Sequence, residues 1–296
     1  MFTTFAPETF NDAKLLGVYE SGSDEWKAAR QQGIGGSEIG TICGLNPWES
    51  AFALWAKRTG QIPDPELTGW SIRFGNAFEE PILGLWAQDN PEWDVYRTGT
   101  YIDVDGFLTA NPDGLAQHRE TGEWIVVEVK TSRGSWREVP PHYAAQVQHY
   151  MDVLGVKRAV LIGVVGWDWH ESWLQFSQFQ ADAQRAAAWR FWEHLQEQRR
   201  PDWDGSKATY EAMRYMHPDI DDESVWLKDL GWELLQAHEA LQLAEADLNE
   251  VKSKVLDFMG SAKYGYVMDH QAERFVVAQR QARGNGVPWL VIKGKK

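Results

Sequence analysis

The run "EWIVVEVKTS" at residues 123–132 constrains the fold more tightly than any other stretch. Its β-branched residues predict a strand, and side chains along a strand alternate between faces. Val127 and Val129 therefore point one way and Glu128 and Lys130 the other. The valine face is ordinary core. Burying a carboxylate or an amine is costly unless it is paired or coordinated, so the second face must have a use.

The chain of 296 residues has room for one large domain, or one domain with an appendage. With 43% hydrophobic and 24% charged residues, it reads as a soluble globular protein. The longest apolar run, Ala159 to Trp167, is far short of a membrane span. The opening "MFTTFAPETF" has neither a basic start nor a long apolar stretch, so no export signal is expected. A single cysteine, Cys43, excludes an internal disulfide framework, a four-cysteine zinc site and an iron–sulfur cluster. Together these features predict a cytoplasmic protein without a membrane partner. A net charge of −14 argues against indiscriminate coating of DNA, but not against a nuclease, whose site must carry carboxylates. Most of the 17 tryptophans are expected in the core or on helix faces. The eight histidines show no paired ligand spacing.

Along the chain, Ser23 or Asp24 can cap a helix carrying Trp26 and Arg30. "GIGGS" is a turn, and Ser37 or Glu38 opens the next helix. "SAFALWAKRTG" predicts a third helix ended by Gly60, and "FGNAFEEPILGLWAQ" a fourth with Phe74, Phe78, Ile82 and Leu85 at helical spacing. Strand patterns fill about 95–130. "PPHYAAQVQHYMDVLG" is a helix, "RAVLIGVVG" and "SWLQFSQFQ" are strands, and "ADAQRAAAWRFWEHLQEQRR" is a further helix. This order predicts an α/β (α+β) core over 1–205, with a central mixed sheet flanked by helices. An extension over 206–296 opens on loop-like stretches and holds a heptad helix at about 227–260 and a β-hairpin tail. Leu234, Ala237, Leu241, Ala244, Leu248, Val251, Val255 and Phe258 alternate spacings of three and four, as an a/d seam does. The seam suits a helix packed on its own domain about as well as a coiled coil between chains; its shortness and flanking loops favour the former. Residues 271–296 carry six Lys or Arg and one acid, opposing the global charge.

Asp113 sits in "NPDG" just after a probable strand, and Glu128 and Lys130 lie on the next, a layout that resembles the PD-(D/E)xK nuclease core. That resemblance implies Asp113 and Glu128 as oxygen ligands to Mg²⁺ (or Mn²⁺), with the Val129 carbonyl completing the site. It implies Lys130 as the group that orients or deprotonates the attacking water. Gln146 and Tyr150, four apart in "QVQHY", lie on one helix face and resemble the Q-x-x-x-Y motif of RecB-type nucleases. Glu79 in "FGNAFEEP" matches the G-x-x-x-E helix of viral alkaline exonucleases, with Glu80 as the alternative.

"WKAARQQGIGGSEIG" and "NPWESAFALWAKRTG" resemble the YqaJ-like viral recombinase / phage lambda exonuclease family, and the likeness runs from about Glu25 to Gly166. It implies a restriction-endonuclease-like core and Mg²⁺-dependent 5′ to 3′ digestion of double-stranded DNA. It also implies work beside a single-strand annealing recombinase, and a homo-oligomer in the form of a ring trimer. Residue by residue, it assigns Arg30 and Ser37 to the 5′ phosphate, Glu79, Asp113, Glu128 and Lys130 to metals and water, and Gln146 to the support of that site. The chain departs from the family pattern at "GGS", at Val129 and in the heptad and tail. The rival readings are an endonuclease or single-strand nuclease on the same core, and an inactive DNA-binding or assembly module.

Overall fold

Thirteen strands and eight helices are assigned among the residues that the computed structural model describes, which are 4–20, 22–64, 69–134, 136, 138–282 and 284–293. The chain divides into two units, Met1–Ile220 and Asp221–Lys296.

The first unit opens with two short strands, β1 (Thr9–Phe10) and β2 (Ala13–Gly17), in a segment without a strand-like apolar pattern. Helix α1 (Asp24–Gln31) follows, and Ser23 caps it by accepting the Trp26 N–H. Strand β3 (Ile34–Gly35) leads straight into α2 (Gly36–Ile42), which starts one residue before Ser37 and two before Glu38, the expected starts. Helix α3 (Ala51–Arg58) is capped by Ser50, whose hydroxyl accepts from Ala53 N–H, and Gly60 leaves it at φ +71°.

Helix α4 (Trp70–Asp89) starts before the expected stretch and runs through Pro81. Its buried residues are Ile82, Leu83 and Trp86, whereas Phe78 and Leu85 of the expected stripe are exposed. The buried stripe lies on the C-terminal turns of α4, and Phe74 and Phe78 stack on each other at 4.2 Å between ring centroids. The tryptophan expectation is corrected too. Trp55, Trp86 and Trp93 are buried, but Trp48, Trp167, Trp203 and Trp226 lie outside the helices and are more than half exposed.

The strand-rich middle forms β4 (Trp93–Tyr96), β5 (Thr100–Ile102), β6 (Leu108–Ala110), β7 (Gly114–His118) and β8 (Trp124–Ser132). Helix α5 (Pro141–Leu154) begins on proline, whose missing N–H is harmless there, and ends on Gly155 in the left-handed conformation. Then come β9 (Arg158–Val165), β10 (Asp168–Gln175), α6 (Gln178–Gln196) and α7 (Lys207–Met216). Helix α7 lies between the two loop-like stretches and belongs to this unit; Thr209 Oγ1 donates to Ser50 Oγ at 2.8 Å.

Two five-stranded sheets result where one was expected, with orders β1-β2-β5-β6-β3 and β10-β9-β8-β7-β4. In the second, β8 is central, antiparallel to β7 and parallel to β9 through the α5 crossover. Ile125, Val127 and Val129 pack under α4 with Ile82, Leu83 and Trp86. Val126 faces the larger core, which includes Ala145, Val147 and Met151 of α5. Glu128 and Lys130 share the face of Val126, as the alternation requires.

The second unit holds α8 (Asp229–Met259) and a three-stranded antiparallel sheet, β11 (Tyr264–Met268), β12 (Arg274–Gln281) and β13 (Trp289–Ile292). The expected hairpin thus gains a third strand, from "PWLVI". No residue of α8 is buried, so its seam does not find the expected partner within its own unit. No helix among the described residues is long and apolar enough to cross a membrane.

His149 of α5 is 1% exposed, and its Nε2–H donates to Thr109 O at 3.0 Å, joining α5 to β6. Burial lowers its pKa, outweighing the Thr109 bond and the Asp152 carboxylate. The folded chain thus resists a proton that the unfolded chain accepts at about pH 6.5. Stability from this group is full above that pH and falls as pH drops below it, by at most about 1.4 kcal/mol per unit. The difference in unfolding free energy between wild type and His149→Gln, followed by urea melts from pH 7.5 to 5, should shift against wild type on acidification. A pH-independent difference would contradict this account of His149.

Candidate active site

Strand pairing between β7 and β8 ends at Gly114↔Val127, so Asp113 stands just beyond the last rung and beside Glu128. It takes over the hydrogen bonding there. Val129 N–H donates to Asp113 Oδ2 at 2.7 Å, and Asp113 N–H donates to Glu128 Oε2 at 3.3 Å. The N–H and C=O of a strand residue leave on the same edge, so the Val129 carbonyl points to the side where Asp113 stands.

Glu128 is 1% exposed. Lys130 Nζ donates to its Oε1 at 2.6 Å, and Gln146 Nε2 donates to the same oxygen at 2.8 Å. Gln146 also donates to the Tyr150 hydroxyl at 3.0 Å, so the pair four apart on α5 acts as one unit. Asp113, Glu128, Lys130, Gln146 and Tyr150, expected to converge, do meet.

Two carboxylates share this space with one ammonium. Burial, then the charge of Asp113, pushes Glu128 up to about 8 despite Lys130. Asp113 is raised as well, chiefly by burial. Burial disfavours the charged Lys130, but Glu128 and Asp113 overrule it and the ammonium holds its proton above the usual lysine range. The Tyr150 phenol is held up by burial and by Glu128.

Glu79 comes in from α4. Burial and the Asp113 charge raise it to about 7, against the pull of Lys130. Of the two neighbours in "FEEP", Glu79 is the one whose carboxyl senses Asp113 and Lys130; Glu80 Oε1 is buried without a hydrogen-bond partner. Among the described residues, no three His, Cys, Asp or Glu side chains converge on one point as a metal cage. What does converge is Asp113, Glu128 and the Val129 main chain. Oxygen donors of this kind suit a hard divalent cation, and such a cation would relieve the repulsion between the carboxylates.

A second cluster lies at the start of α2. Arg30 Nη2 stands 3.4 Å from both Ser37 Oγ and Glu38 Oε1, with its guanidinium 4.7 Å from the centre of the Trp26 ring. The sequence reading missed two members. Glu38, 4% exposed, accepts from Arg58 Nη1 at 2.9 and 3.0 Å and from Gly35 N–H at 3.0 Å. A glutamate at the third helical position reaching back to the preceding N–H is a capping pattern visible in "GGSE". Arg58 left no such signal. Two guanidiniums against one carboxylate leave the Ser37 end with net positive charge.

The two clusters are joined through Gly36, where any Cβ would run into the Tyr150 ring. The glycine lets α2 close onto the residue that supports Gln146 and, through it, Glu128.

A mixed sheet whose central strand presents Glu128 and Lys130 beside Asp113 resembles the core expected of a PD-(D/E)xK nuclease. Residues 25–157 match the YqaJ-like viral recombinase domain. The uncharacterized protein YqaJ of Bacillus subtilis (strain 168) is 29% identical over 272 residues, covering 86% of this chain and 83% of that one. Protein D345L of African swine fever virus (strain Badajoz 1971 Vero-adapted) is 27% identical over 154 residues, 43% of this chain and 44% of its own. Among solved structures, the alkaline exonuclease LHK-Exo from Laribacter hongkongensis aligns with a TM-score of 0.46 at 15% identity, over 60% of this chain and 94% of that one. A phage related exonuclease from Haemophilus somnus 129PT aligns with a TM-score of 0.40 at 13% identity, over 56% and 96%.

Gly36→Ala should destabilise the chain by about 1–3 kcal/mol, as overpacking does. Gly75→Ala is the contrast, because its Cβ would meet only Thr131 Oγ1 at 3.5 Å inside α4. It should stabilise by about 0.5–1 kcal/mol. Thermal melts of the two variants check this; equal effects would contradict the described closure of α2 onto Tyr150.

Proposed function

We propose that this chain is a divalent-metal-dependent deoxyribonuclease that digests double-stranded DNA from 5′ ends and leaves 3′ single-stranded overhangs. The carrying observation is Glu128, buried in the middle of β8 and engaged at once by Asp113, Lys130 and Gln146. Such a buried carboxylate cluster is poor stabilising material compared with apolar packing, so its use is chemical.

Asp113, Glu128 and the Val129 carbonyl would hold Mg²⁺ or Mn²⁺, with Glu79 added from α4. When bound, the ion supplies charge stabilisation at the scissile phosphate and activates water. Lys130, holding its proton, donates hydrogen bonds to orient the water and the phosphate oxygens. Gln146 fixes the Glu128 carboxylate, and Tyr150 supports Gln146 from the next turn.

Arg30 and Ser37 would take the 5′ phosphate. Arg30 is only partly engaged at 3.4 Å, and Arg58 already binds Glu38 through both oxygens. A guanidinium left this free can grip a terminal phosphate. An enzyme that begins at a 5′ end needs an anchor of this kind; one that cuts internally does not. A viral recombinase setting, the description carried by the matched family, supports DNA recombination as the process, and a single-strand annealing recombinase is the partner proposed for it.

Wild type should digest 5′-phosphorylated linear duplex faster than 5′-hydroxyl duplex. Arg30→Ala should erase most of that preference, a change of roughly 10- to 150-fold for a charge-assisted contact. Excess EDTA should stop digestion, and covalently closed circles should survive. Equal rates on the two ends, or prompt cutting of circles, would leave an endonuclease on the same core. No cleavage of any substrate would leave a binding module.

A further inference from the structure

The seam of α8 is built to meet another helix, and its own unit leaves it open. Over 31 residues, or about 46 Å, no side chain of α8 is buried. Leu234, Leu241, Leu248, Val251 and Phe258 are all more than two-fifths exposed. A contiguous apolar stripe of this length marks an interaction surface.

The heptad identifies the partner. Leu234, Leu241, Leu248 and Val255 occupy a positions, and Ala237, Ala244, Val251 and Phe258 occupy d. In a parallel pair, like positions meet, so Ala237 would face Ala237 and Ala244 would face Ala244. Those two layers would be left underfilled. In an antiparallel pair, a meets d. Leu234 then meets Phe258 of the second copy, Ala237 meets Val255, Leu241 meets Val251 and Ala244 meets Leu248. No alanine meets an alanine, and all eight positions are used in one register.

The flanking charges agree. Antiparallel helices bring g beside g and e beside e. The g residues include Glu233 and Lys254, and the e residues include Glu245 and Lys252. This register brings Glu233 towards Lys254 of the second copy and Glu245 towards Lys252, each twice by symmetry. The parallel alternative offers only Asp247 to Lys252. Lys254 already pairs with Glu250 within the helix, so its ammonium lies on the surface and within reach.

We propose that α8 pairs with α8 of a second copy of this chain as an antiparallel, two-fold-symmetric coiled coil centred near Ala246. A two-fold interface is self-complementary and closes on itself, so it limits this contact to two helices. The pairing does not depend on the nuclease reading or on any assembly made by the first unit.

The test uses the full chain, with Cys43→Ala as background and a nitroxide on Trp232→Cys. Position 232 points away from the seam, at f. Antiparallel pairing separates the two labels by about 42 Å along the axis, whereas parallel pairing sets them side by side. Expected at tens of micromolar are a native mass that halves in Leu241→Lys/Leu248→Lys and a label separation above about 40 Å. Because those substitutions are harsh, a milder pair supports them. Lys252→Glu/Lys254→Glu should weaken association about tenfold, and adding Glu233→Lys/Glu245→Lys should restore it. A monomeric wild type, a mass insensitive to the α8 variants, or labels side by side would each overturn the proposal.

Discussion

Everything at the candidate site depends on two carboxylates buried side by side with a single ammonium. Asp113 and Glu128 are locked together by the main chain itself, since Glu128 accepts from the Asp113 N–H and Asp113 accepts from the Val129 N–H next to Glu128. That geometry exists because β7 begins only at Gly114, directly after Asp113, while β8 continues to Ser132. The central strand supplies rigidity, its apolar face is clamped under α4, and the repulsion is concentrated where Asp113 and Glu128 meet the Val129 main chain.

The surrounding structure transmits that constraint outward. Gln146 ties Glu128 to α5, Tyr150 extends the tie by a turn, and Gly36 lets α2 press against the Tyr150 ring. Glu38 then anchors α2 to Arg58 and Arg30. Packed and hydrogen-bonded groups thus run from Ser37 to Glu128. The two clusters behave as parts of one construction.

The central part of the fold was legible because its signals are local. Alternation fixed the faces of β8, and Pro141 and Gly155 marked the ends of α5. Glu128, Lys130, Gln146 and Tyr150 could be read because each follows from spacing on one element. Other features depend on partners distant in sequence. β1 and β2 are short strands whose pairing with β5 is tertiary, and α7 is held by Thr209 reaching Ser50. The buried face of α4 was misjudged because Phe74 and Phe78 share the helical period with Ile82 but lie beyond the sheet core. Arg58 was missed because only the closure of α2 and α3 brings it to Glu38.

The most direct test is the rate of cleavage of linear duplex with saturating Mg²⁺ by wild type and by Glu128→Gln, at matched circular dichroism. Gln keeps the size of the side chain and removes its charge. The account predicts a loss of about 10²-fold or more, the usual consequence of removing a metal ligand or its orienting group. A Glu128→Gln chain that is folded and cleaves at the wild-type rate would contradict it.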